Sequence, residues 1–347
     1  MISGKSLSPR LIKNRISLLK SYLRKEIAVK GFPLELAIEV TNHCNVDCIM
    51  CPRQKMTRSK GFMDFNLFKK IIDEVKDYTE LVFLHLAGES LLHPQLRMMI
   101  DYCARSGISS ALSTNATLLN ADKSQELLRS PLDLLILSFD GVTKETYQTI
   151  RRNSDFEITY NNIMRVLSIK DKMKTSPYII IQLIYMKQNA SEVRDFLAKW
   201  KSSKVDAVRV KPYLNYPGLD NYLGELPKKS LTGLKPCMLL WRQLAIYWDG
   251  TAVSCCQDFL SQRVIGDVNK QSIRDIWNGK EMAQMRLVHA KGLGRSIPLC
   301  KECTMPQLSL PVLLGTVFFE DLVIKKIIPK VEELAILRNV RGISYFT

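Results

Sequence analysis

The 347-residue chain has few histidines and an acid deficit, and it carries no apolar run long enough to cross a bilayer, a span that takes ~18 residues. Its longest candidate, Pro311–Phe319, stops at Glu320 and Asp321. The first residues hold Lys5, Arg10 and Lys13 but no apolar core ending in a small-residue cleavage site, which argues against secretion. Gly and Pro together number 30, too few for a collagen-like or low-complexity chain, and no internal repeat is visible. These absences describe a globular cytosolic protein of about two domains. In that compartment the nine cysteines do not read as a disulfide framework, so the thiols need another use.

The charge is uneven. The chain carries +16, yet residues 1–30 alone contribute +7, from eight basic side chains against Glu26. Between Arg10 and Lys25, Leu11, Ile12, Ile16, Leu18, Leu19, Tyr22 and Leu23 recur with helical spacing, which predicts a basic amphipathic helix. Such a helix either attaches to an anionic membrane surface or an acidic partner, or packs its apolar stripe on the body of the protein, and the last is the commoner use. The basic residues lack interleaved aromatics on a recognisable module, so no nucleic-acid partner is expected.

From residue 34, β-branched runs alternate with helical stretches. Strands are predicted at Leu34–Thr41, Leu81–Ala87, Ser109–Asn115, Leu132–Asp140, Tyr178–Met186 and Ala207–Tyr213, with helices near 65–77, 95–106, 120–129, 156–173 and 189–201. Continuous apolar strands such as Leu132–Phe139 suit a parallel sheet covered on both faces. Six such units predict an α/β fold, a partial (β/α)6 barrel, whose chemistry sits at the C-terminal ends of its strands. The pattern breaks at 215–236, and a hairpin joined at Asp249-Gly250 follows, then helical spacing over 272–290. The domains are expected at 1–33 (basic helix), 34–215 (barrel), 216–310 (a small α+β domain) and 311–347 (a helical tail).

Cys44-x3-Cys48-x2-Cys51 begins three residues after the first strand, at the catalytic mouth of such a barrel. Three thiolates poorly match a zinc site, which takes four ligands, and an ordinary four-iron cluster also takes four. Three would leave one iron open to another molecule. The triplet on this loop resembles the signature of the radical S-adenosylmethionine (SAM) superfamily. The resemblance implies that the open iron chelates the amino and carboxylate groups of SAM. It further implies that an electron from a flavodoxin- or ferredoxin-type donor cleaves SAM to a 5′-deoxyadenosyl radical, which abstracts a substrate hydrogen atom. Ala87-Gly88-Glu89 resembles the family's Gly-Gly-Glu element, so Gly88 and Glu89 are implied to bind SAM. Ser113 and Asn115, and Ser138 and Asp140, match the family's polar strand ends facing the same cofactor, whereas Met50 replaces an aromatic frequent before the third cysteine.

A second constellation, Cys237-x12-Gly250-x4-Cys255 and then Cys300-x2-Cys303, fits a zinc ribbon and an iron–sulfur cluster about equally well by itself. After a radical SAM barrel it resembles the SPASM and twitch auxiliary-cluster domains, with one auxiliary 4Fe–4S cluster beside the SAM-binding one. The glycine spacing prefers Cys255 to Cys256 as ligand, leaving Cys256 as a spare thiol, a hydrogen-atom donor or a buried residue. Cys103 sits in a predicted helix as a core residue. Arg151, Arg152 and Gln182 are candidates to face the substrate, with Arg152 and Cys256 the catalytic candidates. His43 is expected to shape the cysteine loop, and His85, His93 and His289 have no ligand spacing.

A fully ligated auxiliary cluster suits electron transfer, so the resemblance points to oxidation of a small polar or sugar-like substrate. The alternatives are an epimerase, a peptide- or lipid-modifying enzyme, and a non-catalytic zinc or iron–sulfur protein. Localisation is read as cytoplasmic, with the basic helix allowing a membrane-surface contact.

Overall fold

The computed structural model describes residues 8–173, 177–214, 216, 236–301, 303 and 330. The proposed tail 311–347 (Lys330 apart) and nearly all of the 215–236 boundary lie outside the described residues. In chain order the regular elements begin with α1 (Pro9–Leu23), β1 (Glu35–Ile38), β2 (Asp47–Cys48), α2 (Phe65–Val75), β3 (Leu81–Phe83), α3 (Leu96–Arg105) and β4 (Ser109–Thr114). They continue with α4 (Ala121–Leu128), β5 (Leu134–Ser138), α5 (Lys144–Ile150), β6 (Arg151–Arg152), α6 (Phe156–Asp171), β7 (Tyr178–Tyr185), α7 (Val193–Lys201) and β8 (Ala207–Pro212). The last are β9 (Gln243–Ile246), β10 (Thr251–Val253), β11 (Val264–Asp267), α8 (Ile273–Trp277), α9 (Lys280–Ala290) and α10 (Pro298–Lys301).

Six parallel strands lie in chain order, β1-β3-β4-β5-β7-β8, as the alternation of apolar runs and helices predicts. Period-2 alternation divides their side chains. Leu36, Ile38, Val82, Leu112, Leu135, Leu137, Ile179 and Ile181 pack under the helices, while Leu81, Ala111, Leu134, Ile136 and Ile180 form a separate cluster on the other face. The helices are shaped by local signals. In α2, Asp64 accepts from the N–H groups of Asn66 and Leu67 at the N-terminus, and Phe68, Ile71, Ile72 and Val75 are the buried stripe.

The structure adds three things to the sequence reading. Helix α5, capped by Thr143 accepting from Thr146 N, falls between two predicted elements. The 272–290 stretch is two helices, α8 and α9, parted at Asn278-Gly279. The hairpin at Asp249-Gly250 forms as expected, with Gly250 at φ +92° where a Cβ would lie 2.3 Å from Asn269 Nδ2. However, its first strand does not stand apart: β9 pairs in parallel with β1, so β9, β10 and β11 extend the barrel sheet to nine strands.

Helix α1 packs across the N-terminal ends of the strands. Arg15 forms a buried ion pair with Glu80, the residue before β3. Asn14 Nδ2 donates to the carbonyls of Phe32 (3.0 Å) and Tyr78 (2.9 Å), and its Oδ1 accepts from Phe32 N (2.9 Å). Gly31 lies so close that a Cβ there would sit 2.6 Å from Asn14 Oδ1. The second half of α1 reaches the C-terminal region, where Tyr22 OH donates to Pro236 O (3.1 Å) and Trp241 Nε1 to Glu26 O (2.8 Å).

Candidate active site and auxiliary cluster site

The loop after β1 carries Cys44, Cys48 and Cys51 at the C-terminal ends of the strands. Its shape is set by the two-residue ladder of β2 and β6, where Asp47 pairs with Arg152 and Cys48 with Arg151, extended by Ile49 N to Ile150 O at 2.9 Å. The three cysteines share an apolar surround of Val46, Met50, Ile150, Ile184, Met186 and Tyr213. Cys48 senses both Cys44 and Cys51 electrostatically, and Cys51 senses Cys44. Burial pushes all three thiols up, Cys48 to about 12, partly offset by the Arg151 guanidinium. A bare trio of this kind stays protonated at neutral pH, and a metal that replaces the protons removes that penalty. Two N–H donors are aimed at the sulfurs: Arg151 Nη1 lies 3.9 Å from Cys48 Sγ and Asn115 Nδ2 lies 4.0 Å from Cys44 Sγ. Such donors suit a negatively charged thiolate cluster.

Arg151 and Arg152 are placed differently. The sequence makes Arg152 the catalytic candidate, but its side chain is exposed, whereas Arg151 is buried. Strand alternation decides this, since adjacent residues of β6 point to opposite sides. Arg151 Nε and Nη2 reach Asp140 Oδ2 at 2.8 and 2.7 Å, while Asp140 Oδ1 accepts from Ile184 N at 2.7 Å. Asp140, expected beside the cofactor, is thus fully buried and spends its carboxylate on Arg151 and the β7 backbone. It acts on the cysteine loop through Arg151.

The other expected cofactor residues come together. Gly88 has φ +82°, and a Cβ there would lie 2.4 Å from Thr41 O and 2.7 Å from His43 O. That close approach lets Glu89 N donate to His43 O at 2.7 Å and seats Glu89 against the cysteine loop. The Glu89 carboxylate accepts from Leu91 N (3.1 Å) and Asn115 N (2.8 Å), and burial raises its pKa. Asn115 in turn donates to Asn45 Oδ1 at 3.0 Å, so Glu89, Asn115 and the loop form one connected unit. Ser113 Oγ and Ser138 Oγ are 3.4 Å apart, and Ser113 N donates to His85 Nδ1 at 3.1 Å. Gln182 stands in register beside Ser138. Burial pushes His85 down to about 4, so its imidazole is neutral. His43 stacks on Phe62 with ring centroids 4.7 Å apart.

The late cysteines form a second group. Cys255 senses Cys237, and Cys300 senses Cys237 and Cys303. Burial together with these neighbours pushes Cys300 up to about 12. Cys255 and Cys256 share a hydrogen bond that raises the Cys255 thiol and lowers that of Cys256. Cys256 faces the barrel, packed with Ala37, Leu86, Ala245, Tyr247 and Val253. Cys103 is fully buried in α3, as expected of a core residue. Among the described residues, no three His, Cys, Asp or Glu side chains are close enough to share one metal ion. A four-iron cluster is wider than a single ion and is held by thiolates set further apart, so both groups suit it as donor sets.

A buried strut joins the two cysteine loops. Arg58, seven residues after Cys51, forms a bidentate ion pair with the fully buried Glu39. Its guanidinium lies 3.8 Å from the Tyr247 ring centroid and its Nε donates to Phe259 O at 3.2 Å. Tyr247 OH donates to Asp258 O, three residues after Cys255. No sequence motif marks these residues, because Arg58 meets Tyr247 and Phe259 from about 190 to 200 positions away in the chain.

Two family models match this arrangement: the radical SAM superfamily over residues 38–199 and the SPASM iron–sulfur cluster-binding domain over 237–304. The chain belongs to the radical SAM superfamily. It is 24% identical over 312 residues to the tungsten-containing aldehyde ferredoxin oxidoreductase cofactor-modifying protein of Pyrococcus furiosus, covering 78% of this chain and 87% of that one. It is 22% identical over 276 residues to the SAM-dependent 2-deoxy-scyllo-inosamine dehydrogenase of Niallia circulans, covering 77% and 91%. The fold superposes on anSMEcpe with bound SAM at a TM-score of 0.61, with 16% identity, covering 90% of this chain and 96% of that one. The protein is therefore a radical SAM enzyme whose cofactors are SAM and 4Fe–4S clusters, one binding SAM and the auxiliary set belonging to the SPASM region. No helix among the described residues is long and apolar enough to cross a membrane.

Proposed function

We propose that this radical SAM enzyme is a dehydrogenase that oxidises a hydroxyl-bearing carbon of a small polar or sugar-like substrate. The reading rests on the division of the late cysteines. Cys300 senses Cys237 and Cys303, and Cys255 senses Cys256 and Cys237; taking Cys237, Cys255, Cys300 and Cys303 as ligands gives four thiolates, enough to saturate an auxiliary cluster, and leaves Cys256 facing the barrel. When bound, SAM with its cluster would supply hydrogen-atom abstraction, and an auxiliary cluster held by four thiolates would supply an acceptor for the electron left once the substrate radical has lost its hydroxyl proton. The Niallia dehydrogenase, similar over most of both chains, supports the same class.

In this reading Cys44, Cys48 and Cys51 hold the SAM-binding cluster, and Gly88, Glu89, Ser113, Asn115 and Ser138 line the SAM site. Asp140 orients Arg151, which steadies Cys48. A flavodoxin- or ferredoxin-type protein delivers the initiating electron. The substrate end is formed by the face of the sheet that carries Ser138, Gln182 and Cys256. Residues 34–215 carry the SAM chemistry and 216–310 the auxiliary cluster, with β9 fastening the second to the first.

The test is a product screen with the full chain, reconstituted anaerobically with iron and sulfide, then given SAM, dithionite and a panel of polyols, amino sugars and short peptides. One 5′-deoxyadenosine and one product lighter by two hydrogens per turnover are expected. A product of unchanged mass in H2O that gains one mass unit in D2O would instead mark an epimerase, with Cys256 as hydrogen donor, and a modified peptide would mark a peptide-modifying enzyme. A sharper comparison separates the adjacent cysteines. Cys255→Ala should lower iron from about eight to about four atoms per chain and abolish product oxidation, while Cys256→Ala keeps about eight. Iron analysis giving the reverse order would reassign the ligand.

A further inference from the structure

We propose that the outward face of α1 docks the protein on an anionic lipid surface. The inward face of this helix is already committed through Asn14, Arg15, Leu18 and Ser21, all buried. Among the described residues nine large apolar side chains are exposed, and three of them, Ile12 (43%), Ile16 (37%) and Leu23 (51%), lie on this one helix. At about 100° per residue, Leu19, Ile12, Leu23 and Ile16 fall within about 60° of arc, and Lys20, Lys13 and Arg24 occupy the next 40° or so. The row spans about 16 Å at ~1.5 Å per residue.

Charge complementarity selects the occupant. Residues 1–30 carry +7 with Glu26 already counted, Glu26 lying 3.7 Å from Arg24, and the acids outside this segment that pair with it are Asp77, with Arg10 at 2.7 Å, and Glu80, with Arg15. Aliphatic side chains bordered by lysines are the pattern of helices that lie in the headgroup region of a membrane. Protein interfaces instead favour aromatic and arginine anchors and are poor in lysine. The row carries no aromatic residue.

Docking here has a definite geometry. The buried Arg15–Glu80 pair and the Asn14 hydrogen bonds fasten α1 to the N-terminal ends of the strands, whereas Cys44, Cys48 and Cys51 lie past their C-terminal ends. The lipid surface and the SAM-binding loop are then at opposite ends of the sheet, so the surface holds the enzyme in place and does not feed it substrate.

Vesicle sedimentation of the reconstituted full chain tests this, using phosphatidylcholine vesicles with and without about 30% phosphatidylserine at low ionic strength. The wild type should sediment with the anionic vesicles and be released as salt rises. Replacing Lys13, Lys20 and Arg24 together by Ala should weaken binding about 100-fold, at about fivefold per charge. Ile12→Ser with Ile16→Ser should weaken it at least about tenfold. Both variants should keep wild-type iron content and SAM cleavage, since neither touches the cofactor sites. Equal sedimentation of wild type and variants, or no binding to anionic vesicles, overturns the proposal. So does a dimer in sedimentation velocity that Ile16→Ser dissociates while vesicle binding is absent, because a second copy would then be the occupant.

Discussion

Replacing Cys44, Cys48 and Cys51 together by Ala is expected to abolish SAM cleavage completely while leaving about four irons per chain in place. The two thiol groups draw on different parts of the chain. The early trio sits on one loop braced by β6, and the late set is assembled from the segments around Cys237, Cys255 and Cys300. Removing the first should therefore not empty the second. With the trio gone no open iron remains to chelate SAM, so the loss should exceed ~10³-fold and reach the background of free cluster chemistry. Iron and sulfide analysis, with 5′-deoxyadenosine quantified after dithionite reduction, reads both halves of the outcome. Retained SAM cleavage would place the SAM-binding cluster elsewhere, and loss of all iron would show that the two sites form as one.

The contrast between what the sequence reveals and what it hides follows the range of the interactions. The thiol triplet, the Gly88 turn and the Asp249-Gly250 hairpin are local, and each is readable from residues a few positions apart. Gly88 is constrained by φ +82° and by the carbonyls of Thr41 and His43, but its place before Glu89 at a strand end already marks it. The choice of Arg151 over Arg152 is not readable in the same way. It depends on the register of a two-residue ladder with Asp47 and Cys48, about a hundred residues earlier. The role of Asp140 is hidden for a related reason. A polar residue ending a parallel strand meets either a ligand or a neighbouring side chain, and only the position of Arg151 shows that it meets the latter.

Separation in the chain also hides the Glu39–Arg58–Tyr247 strut, and this strut explains how β9 and β1 bring the two cysteine loops into one body. Glu39 follows β1 directly, Tyr247 follows β9, and these strands pair in parallel. Arg58 reaches both residues and also Phe259 beyond Cys255. A guanidinium held by a carboxylate, an aromatic face and a carbonyl uses its fork, its plane and its donors together. The spacing of the two cysteine loops is in this way tied to buried groups.

Arg151→Met is expected to destabilise the protein by about 3–5 kcal/mol, because it strands the Asp140 carboxylate in the interior. Asp140 is fully buried and Arg151 is 4% exposed, so solvent does little to screen the pair. Adding Asp140→Asn should recover part of the loss, since the amide oxygen it introduces can still accept from Ile184 N while carrying no charge. Arg152→Met, at an exposed site, should stay within about 0.5 kcal/mol of wild type. Urea denaturation of the metal-free chain under reducing conditions gives these values, and with Asp140→Asn alone measured as well the double-mutant cycle isolates the pair. Equal destabilisation by Arg151→Met alone and with Asp140→Asn would refute the stranded-charge account. Iron loading then adds a second readout. Even where the double variant regains stability, it lacks the guanidinium 3.9 Å from Cys48 Sγ, so its SAM-binding cluster should form with lower occupancy and a more negative reduction potential than in wild type.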